Sequence, residues 1–266
     1  MAITDKLKLA AYLDEAGEDP ASACSTMVAA GIQYAALRFA WTGNVCDLSD
    51  QSCQRLKELL NQHNISTVAI ASDLGRVEPR QLMRTPKEKI DRLFNVASYF
   101  HAGFVRVSVG LKSKDSAEDV VRDWMQMIME RCLQASMVPL LEVTDDGFLT
   151  EPATIAQFLS RFRRWRLLYD PVQLILRHNQ DPFSRYWTLL KGFAAAIDLR
   201  DFKIGHGFKP PGFGDARVKL TLDDTTKTSY KGWYFLEPSL GRRFGGATTK
   251  QETFKMALEA LDMLLS

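Results

Sequence analysis

The sequence has few of the residues that build soft-metal or redox sites. Four cysteines and four histidines occur in 266 residues, and Cys24, Cys46, Cys53 and Cys132 form no CxxC pair. That excludes a zinc knuckle and a disulfide framework, and reduced, mostly buried thiols of a cytoplasmic protein are expected instead. An excess of one charge is missing too. Thirty-four Lys and Arg against 32 Asp and Glu leave a formal +2, too little for a general attraction to nucleic acid or to an anionic membrane. Long hydrophobic runs are absent. The apolar residues of positions 1–19 are interrupted by Lys6, Lys8, Asp14 and Glu15, so neither a secretory leader nor a membrane span is expected. No GxGxxG follows the first expected strand, which removes the main support for a doubly wound dinucleotide fold.

What is present is enough apolar material for a large core and a regular alternation of elements. At 46% hydrophobic and 25% charged residues, the chain has an ordinary globular composition. Strands are expected at 7–13, 34–40, 66–72, 104–109, 139–143, 163–170, 194–201 and 232–236. Helices are expected at 20–30, from Asp47-Leu48-Ser49 onward, at 86–99, from Asp115-Ser116-Ala117-Glu118 to Leu133, at 155–162, 182–193 and 250–265. Residues 202–218 carry Gly205, Gly207, Pro210, Pro211, Gly212 and Gly214 and read as an ordered loop. Strands that alternate with helices imply a parallel sheet. Eight units in this length, with no linker-like break, predict an α/β fold in which residues 1–266 form a single (β/α)8 TIM barrel.

Four acids stand out against that frame. Glu142 ends Leu140-Leu141-Glu142, Asp170 closes Leu167-Leu168-Tyr169-Asp170, Asp198 lies in Ala196-Ile197-Asp198, and Glu237 ends Tyr234-Phe235-Leu236-Glu237. Side chains alternate faces along a strand, so each acid shares a face with the residue two before it: Leu140, Leu168, Ala196 and Phe235. Acids at strand ends often just meet solvent or cap helices. Four in phase on successive strands instead suggest an oxygen-rich cation site at the C-terminal, reactive end of the barrel. Carboxylate donors suit a hard divalent cation such as Mg²⁺ or Mn²⁺. Without one they would repel, and Arg200, in phase with Asp198, is the first candidate to compensate.

The acids, the segment Asp198-Leu199-Arg200-Asp201, the loop Pro211-Gly212-Phe213-Gly214-Asp215 and the run from Gly232 to Pro238 resemble the xylose isomerase-like TIM barrels. Residues 31–38, 44–49 and 70–72 extend the resemblance over nearly the whole chain. It implies one divalent metal held by strands five to eight, with Glu142, Asp170 and Glu237 as ligands. The family's usual His-x-Lys-Asp at strand seven is replaced, so Asp198 would stand in for histidine. It also implies proton removal from the carbon next to a carbonyl, through an enediolate, with Glu142 and Glu237 as the two proton-transfer groups.

The expected activity is therefore a metal-dependent isomerase or epimerase of a small sugar or sugar phosphate in carbohydrate metabolism, with a homo-oligomer possible. The substitution at Asp198 supports an alternative, a non-catalytic barrel that has lost the metal site and binds a sugar-like ligand or a partner. A third class, an abasic-site endonuclease on the same barrel, would need a histidine-rich zinc site and a basic face, which four scattered histidines and a charge of +2 do not provide. Further substrate contacts are expected from His206 in the glycine loop over the mouth, which is also a possible replacement imidazole ligand. Arg106 and Arg38 could hold a phosphate or carboxylate if they face the lumen. Trp41 and Phe39 could stack on a sugar ring. His178 is expected at the surface.

Overall fold

The computed structural model describes residues 3–41, 43–113, 117–241 and 244–266. Eight parallel strands close into a barrel: β1 (Leu9–Tyr12), β2 (Tyr34–Leu37), β3 (Ser66–Ala71), β4 (Phe104–Val107), β5 (Val138–Glu142), β6 (Arg166–Tyr169), β7 (Ala194–Leu199) and β8 (Trp233–Leu236). Each neighbours the next, and β8 returns to β1 in register Leu9↔Tyr234. The main helices outside are α1 (Pro20–Ala29), α2 (Asp50–Gln62), α3 (Lys87–Tyr99), α4 (Glu118–Gln134), α5 (Pro152–Arg161), α6 (Pro171–His178), α7 (Val218–Lys227) and α8 (Lys250–Leu265).

The strands read as short apolar runs because both of their faces are covered. Outward residues such as Val105, Leu141, Leu167 and Ile197 join the large core shared with the helices. Inward residues Ala10, Tyr12, Ala36, Ala69, Leu140, Leu168, Ala196 and Phe235 form a separate lumenal cluster. The residues two before each acid (Leu140, Leu168, Ala196 and Phe235) thus all face the lumen, as the alternation predicts. Tyr12 and Phe235 meet edge to face, 5.9 Å between centroids, and plug the centre. Three buried tryptophans tie the outer layer together, each with its indole N–H satisfied: Trp124 donates to Ser108 O at 3.1 Å, Trp165 to Met125 O at 3.0 Å, and Trp187 to Asp224 Oδ2 at 2.8 Å. All four cysteines are free thiols. Among the described residues no helix is long and apolar enough to cross a membrane.

Several boundaries differ from expectation, each for a local reason. Leu13–Ala16 is a short helix rather than the end of β1. Residues 39–40 leave the barrel to pair with 43–44 in a small hairpin. The expected strand at 163–170 begins only at Arg166. A helix was missed directly after it: Asp170 caps α6 by accepting from Val172 N at 3.0 Å, and Pro171 takes the first turn, where a missing N–H has no cost. The expected helix at 182–193 is broken into a π turn, Phe183–Trp187, and shorter pieces. His178 consequently ends α6 half-buried, 3.7 Å from Glu151, and not at the surface. The loop after β7 contains an antiparallel hairpin, Asp201–Lys203 with Gly207–Lys209. α4 begins at Glu118; Asp115 and Ser116, expected to open it, lie outside the described residues.

Candidate functional site at the barrel mouth

The site is built one step above the lumenal plug. In the register of β5, β6 and β7, Glu142 is level with Leu168, and Leu168 with Ala196. Asp170 and Asp198, two residues further on, therefore form the next inward layer. β8 adds Phe235 beside Asp198, and Glu237 projects beyond it. All four acids line one pocket of about 350 Å³. Its other walls bring four arginines, Arg38 after β2, Arg76, Arg106 of β4 and Arg200 after β7, together with Phe39 and the neutral polar Asn44, Ser72 and Gln173.

Guanidinium groups pair with three of the four carboxylates. Arg200 grips Asp170 with two prongs, Nε to Oδ1 at 3.1 Å and Nη2 to Oδ2. Its Nη1 reaches Glu237 Oε1 at 3.4 Å and Ser239 Oγ at 3.5 Å. Arg38 donates to the same Glu237 Oε1 at 2.5 Å, and its other edge contacts Asp14 at 2.8 Å and Glu15 at 3.0 Å. Arg106 lies 3.3 Å from Glu142 Oε1 and 3.3 Å from the Tyr12 hydroxyl. Glu142 Oε2 accepts from Ser108 Oγ at 2.9 Å. Asp198 is the exception. It is fully enclosed, and its Oδ1 has no hydrogen-bond partner.

The surroundings split the acids into two kinds. Burial works against ionising Glu237, but Arg200, Arg38 and Arg106 outweigh it and hold its carboxyl down at about 2. Asp198 goes the other way. Burial, then the charges of Glu237 and Asp170, push it well above the usual carboxylate range, which favours the protonated form that can donate a hydrogen bond. Burial also raises Asp170, against the opposing charge of Arg200. Among these acids Glu142 is the most open to solvent.

As placed, this donor set does not fit a divalent cation. Both oxygens of Asp170, both of Glu142 and Oε1 of Glu237 already face N–H or O–H donors. No three His, Cys, Asp or Glu side chains among the described residues are grouped to hold a metal. Water can fill much of a hard ion's coordination sphere, but each carboxylate that holds the ion must turn an oxygen toward it and away from a competing donor.

Of the residues expected at the site, Glu142, Asp170, Asp198, Glu237, Arg106 and Arg200 are brought together. His206 and Trp41 are not. His206 is exposed on the hairpin after β7 and lines an outer groove with Lys203, Lys209, Phe213 and Met263, because the hairpin folds outward against α8 instead of over the mouth. Trp41 borders a side cleft with Asp14, Pro20 and Lys250, with the Arg55 guanidinium 5.3 Å from its ring; Phe39 takes the place at the mouth. Arg76, Ser108 and the pair Asp14 and Glu15 were missed. Ser108 had a signal, since it shares its phase with Arg106. Arg76 sits in a long polar loop that has no periodicity to place it.

Comparisons with known proteins agree with this architecture. A xylose isomerase domain containing protein from Salmonella typhimurium LT2 superposes with a TM-score of 0.78 at 14% identity, covering 98% of each chain. A xylose isomerase-like TIM barrel protein from Mycobacterium smegmatis, solved in complex with magnesium, gives 0.73 at 14% identity over all of both chains. The 3-keto-D-glucoside 4-epimerase of E. coli gives 0.73 at 10% identity, covering 98% of this chain and 99% of its own. Identities this low establish a shared fold. No curated protein matches the sequence. The family model for xylose isomerase-like TIM barrels matches residues 25–264, and the chain belongs to that family.

Proposed function

We propose that the protein is an isomerase or epimerase of a small sugar or sugar phosphate that moves a proton on the carbon next to a carbonyl. The observation that carries this reading is the presence of two unlike acids in one pocket: Glu142, the more accessible one, and Asp198, which is fully enclosed, has an unpartnered oxygen and is pushed up by its burial. An accessible carboxyl group that can take a proton beside a buried one that favours keeping its own makes an acid and base pair. Glu142 takes the proton from carbon, and the electron pair of the C–H bond becomes the C=C bond of an enediol while the carbonyl oxygen gains negative charge. Asp198 donates to that oxygen. For isomerisation Glu142 returns the proton to the neighbouring carbon, whose hydroxyl gives its own proton back to Asp198 and becomes the new carbonyl; for epimerisation the first oxygen returns its proton to Asp198 while a proton from solvent water reaches the opposite face of the same carbon.

Glu237 was expected to share the proton transfer. Held near 2 by three arginines, it is a weak base, and in this reading it anchors Arg38 and Arg200. The epimerase among the fold's neighbours acts on a keto sugar derivative by its name, which agrees with the substrate class. A bound Mg²⁺ or Mn²⁺ has no part in this reading, because three of the four carboxylates it would need already face N–H or O–H donors.

The test is solvent exchange. Ketoses, aldoses, keto sugars and their phosphates are incubated with the protein in D2O, and loss of the C–H signal next to the carbonyl is followed by NMR. Exchange with at least one substrate, reduced about 10²–10⁴-fold by Glu142→Gln, is expected. Exchange at the wild-type rate in Glu142→Gln would rule out the assignment. The non-catalytic alternative is favoured by the grip of Arg200 on Asp170. Its outcome is sugar-dependent thermal stabilisation with no exchange from any substrate.

A further inference from the structure

We propose that arginine side chains have taken the place of the divalent ion in this barrel. The guanidinium of Arg200, braced by Arg38, supplies the positive charge at the mouth, and the site binds no metal. Three observations support this. First, Arg200 spans two of the expected ligands, holding Asp170 by both oxygens and touching Glu237. A metal reaching Asp170 would have to break a buried two-pronged pair and leave a guanidinium that cannot lose its proton. Second, Glu237 Oε1 and Glu142 Oε1 face Arg38 and Arg106. Three buried or half-buried guanidiniums already meet three of the four acids, and a dication among them would face like charge at short range. Third, no histidine lines this pocket, and His206 lies in the outer groove, so no imidazole is at hand to serve as a ligand.

The geometry also gives Arg200 a task that an ion would otherwise perform. Its Nε and Nη2 are committed to Asp170, while Nη1 makes only long contacts, 3.4 Å to Glu237 and 3.5 Å to Ser239. That nitrogen is the donor free to shorten onto an oxygen that gains charge. This last step rests on the proposed proton transfer; the exclusion of metal does not.

The test therefore reads metal directly. Metal content is measured on protein purified without chelator, and Mn²⁺ is titrated while the EPR signal of the free ion is followed. Wild-type protein is expected to carry no stoichiometric metal and to leave the free Mn²⁺ signal unchanged. Arg200→Ala, which frees Asp170 beside Asp198 and leaves Glu237 held by Arg38 alone, is expected to gain saturable Mn²⁺ binding that a further Asp170→Asn removes. One ion per wild-type chain, lost in Asp170→Asn, would overturn the proposal. So would a folded Arg200→Ala protein that still ignores Mn²⁺. Should circular dichroism show that Arg200→Ala does not fold, Arg200→Gln makes the same comparison with most of the side-chain volume kept. Failure of every sugar in the exchange assay would leave these outcomes readable, since none of them requires turnover.

Discussion

Asp201→Asn is expected to cost a large part of the protein's stability, and the number of bonds at this side chain sets the scale. Asp201 is completely buried beside Arg200. Its Oδ2 accepts from Gly212 N and Gly214 N at 2.9 Å each, and its Oδ1 from Phe202 N at 2.8 Å and Ala216 N at 2.9 Å. One carboxylate thus fastens the glycine loop to the top of β7. Asparagine keeps one oxygen, so in either orientation two backbone donors meet an NH2 group. Leaving buried donors unsatisfied costs about 1–3 kcal/mol each. The expected loss is about 2–6 kcal/mol, against a total of about 5–15 kcal/mol for an ordinary protein. Urea denaturation followed by tryptophan fluorescence measures it, with an unchanged slope showing that the denatured state is the same. Gly214→Ala attacks the same fastening from the other side, because the added Cβ would meet Asp201 Oδ1 at 2.3 Å and Phe202 O at 2.6 Å. A loss below about 1 kcal/mol in Asp201→Asn would refute the reasoning, since it would mean that the loop does not depend on the carboxylate.

Three further outcomes are expected. Gly75→Ala would place a Cβ 1.9 Å from the Ser108 carbonyl oxygen at a φ of +85°; it should lower stability by about 1–3 kcal/mol, and an unchanged denaturation midpoint would count against it. Trp124→Phe removes the N–H held by that same carbonyl at 3.1 Å and should cost about 1–3 kcal/mol, whereas a neutral result would show that the carbonyl finds another donor. At Asp224 burial raises the carboxyl, but hydrogen bonds from Trp187 and Lys191 lower it overall. A carboxylate with a depressed native value contributes stability above its unfolded pKa of about 4, and loses it as pH falls through the native value. The stability gap between wild type and Asp224→Asn should therefore be widest near neutrality and shrink on acidification; a gap independent of pH would contradict the assignment.

The barrel was legible because its strands and helices differ so plainly in period. The inward phase of Leu140, Leu168, Ala196 and Phe235 followed from alternation alone, and it carried the four acids to one mouth. Alternation does not reveal which partner a charged side chain chooses. Arg38 ends the stretch Ala35-Ala36-Leu37, where small apolar residues suit either face, and its pairing with Glu237, 199 positions away, is a tertiary fact. Arg200 was in phase, and compensation was anticipated, but its two-pronged hold on Asp170 depends on the distance between β6 and β7. α6 was missed although Asp170-Pro171 is a good start signal, because Asp170 had been assigned only to the end of a strand; it serves as cap and site residue at once. His206 was misplaced because glycine and proline in a loop mark a turn without giving its direction.

The plug of Tyr12 and Phe235 beneath the acids has a consequence for traffic. The lumen is stoppered below, so among the described residues no passage runs down the barrel axis from the pocket. A molecule that enters from the mouth passes the threshold beside Phe39 and Arg76. A compound lodged at that threshold would block entry and exit by that route together, and a departing molecule that lingers there would hold off its successor.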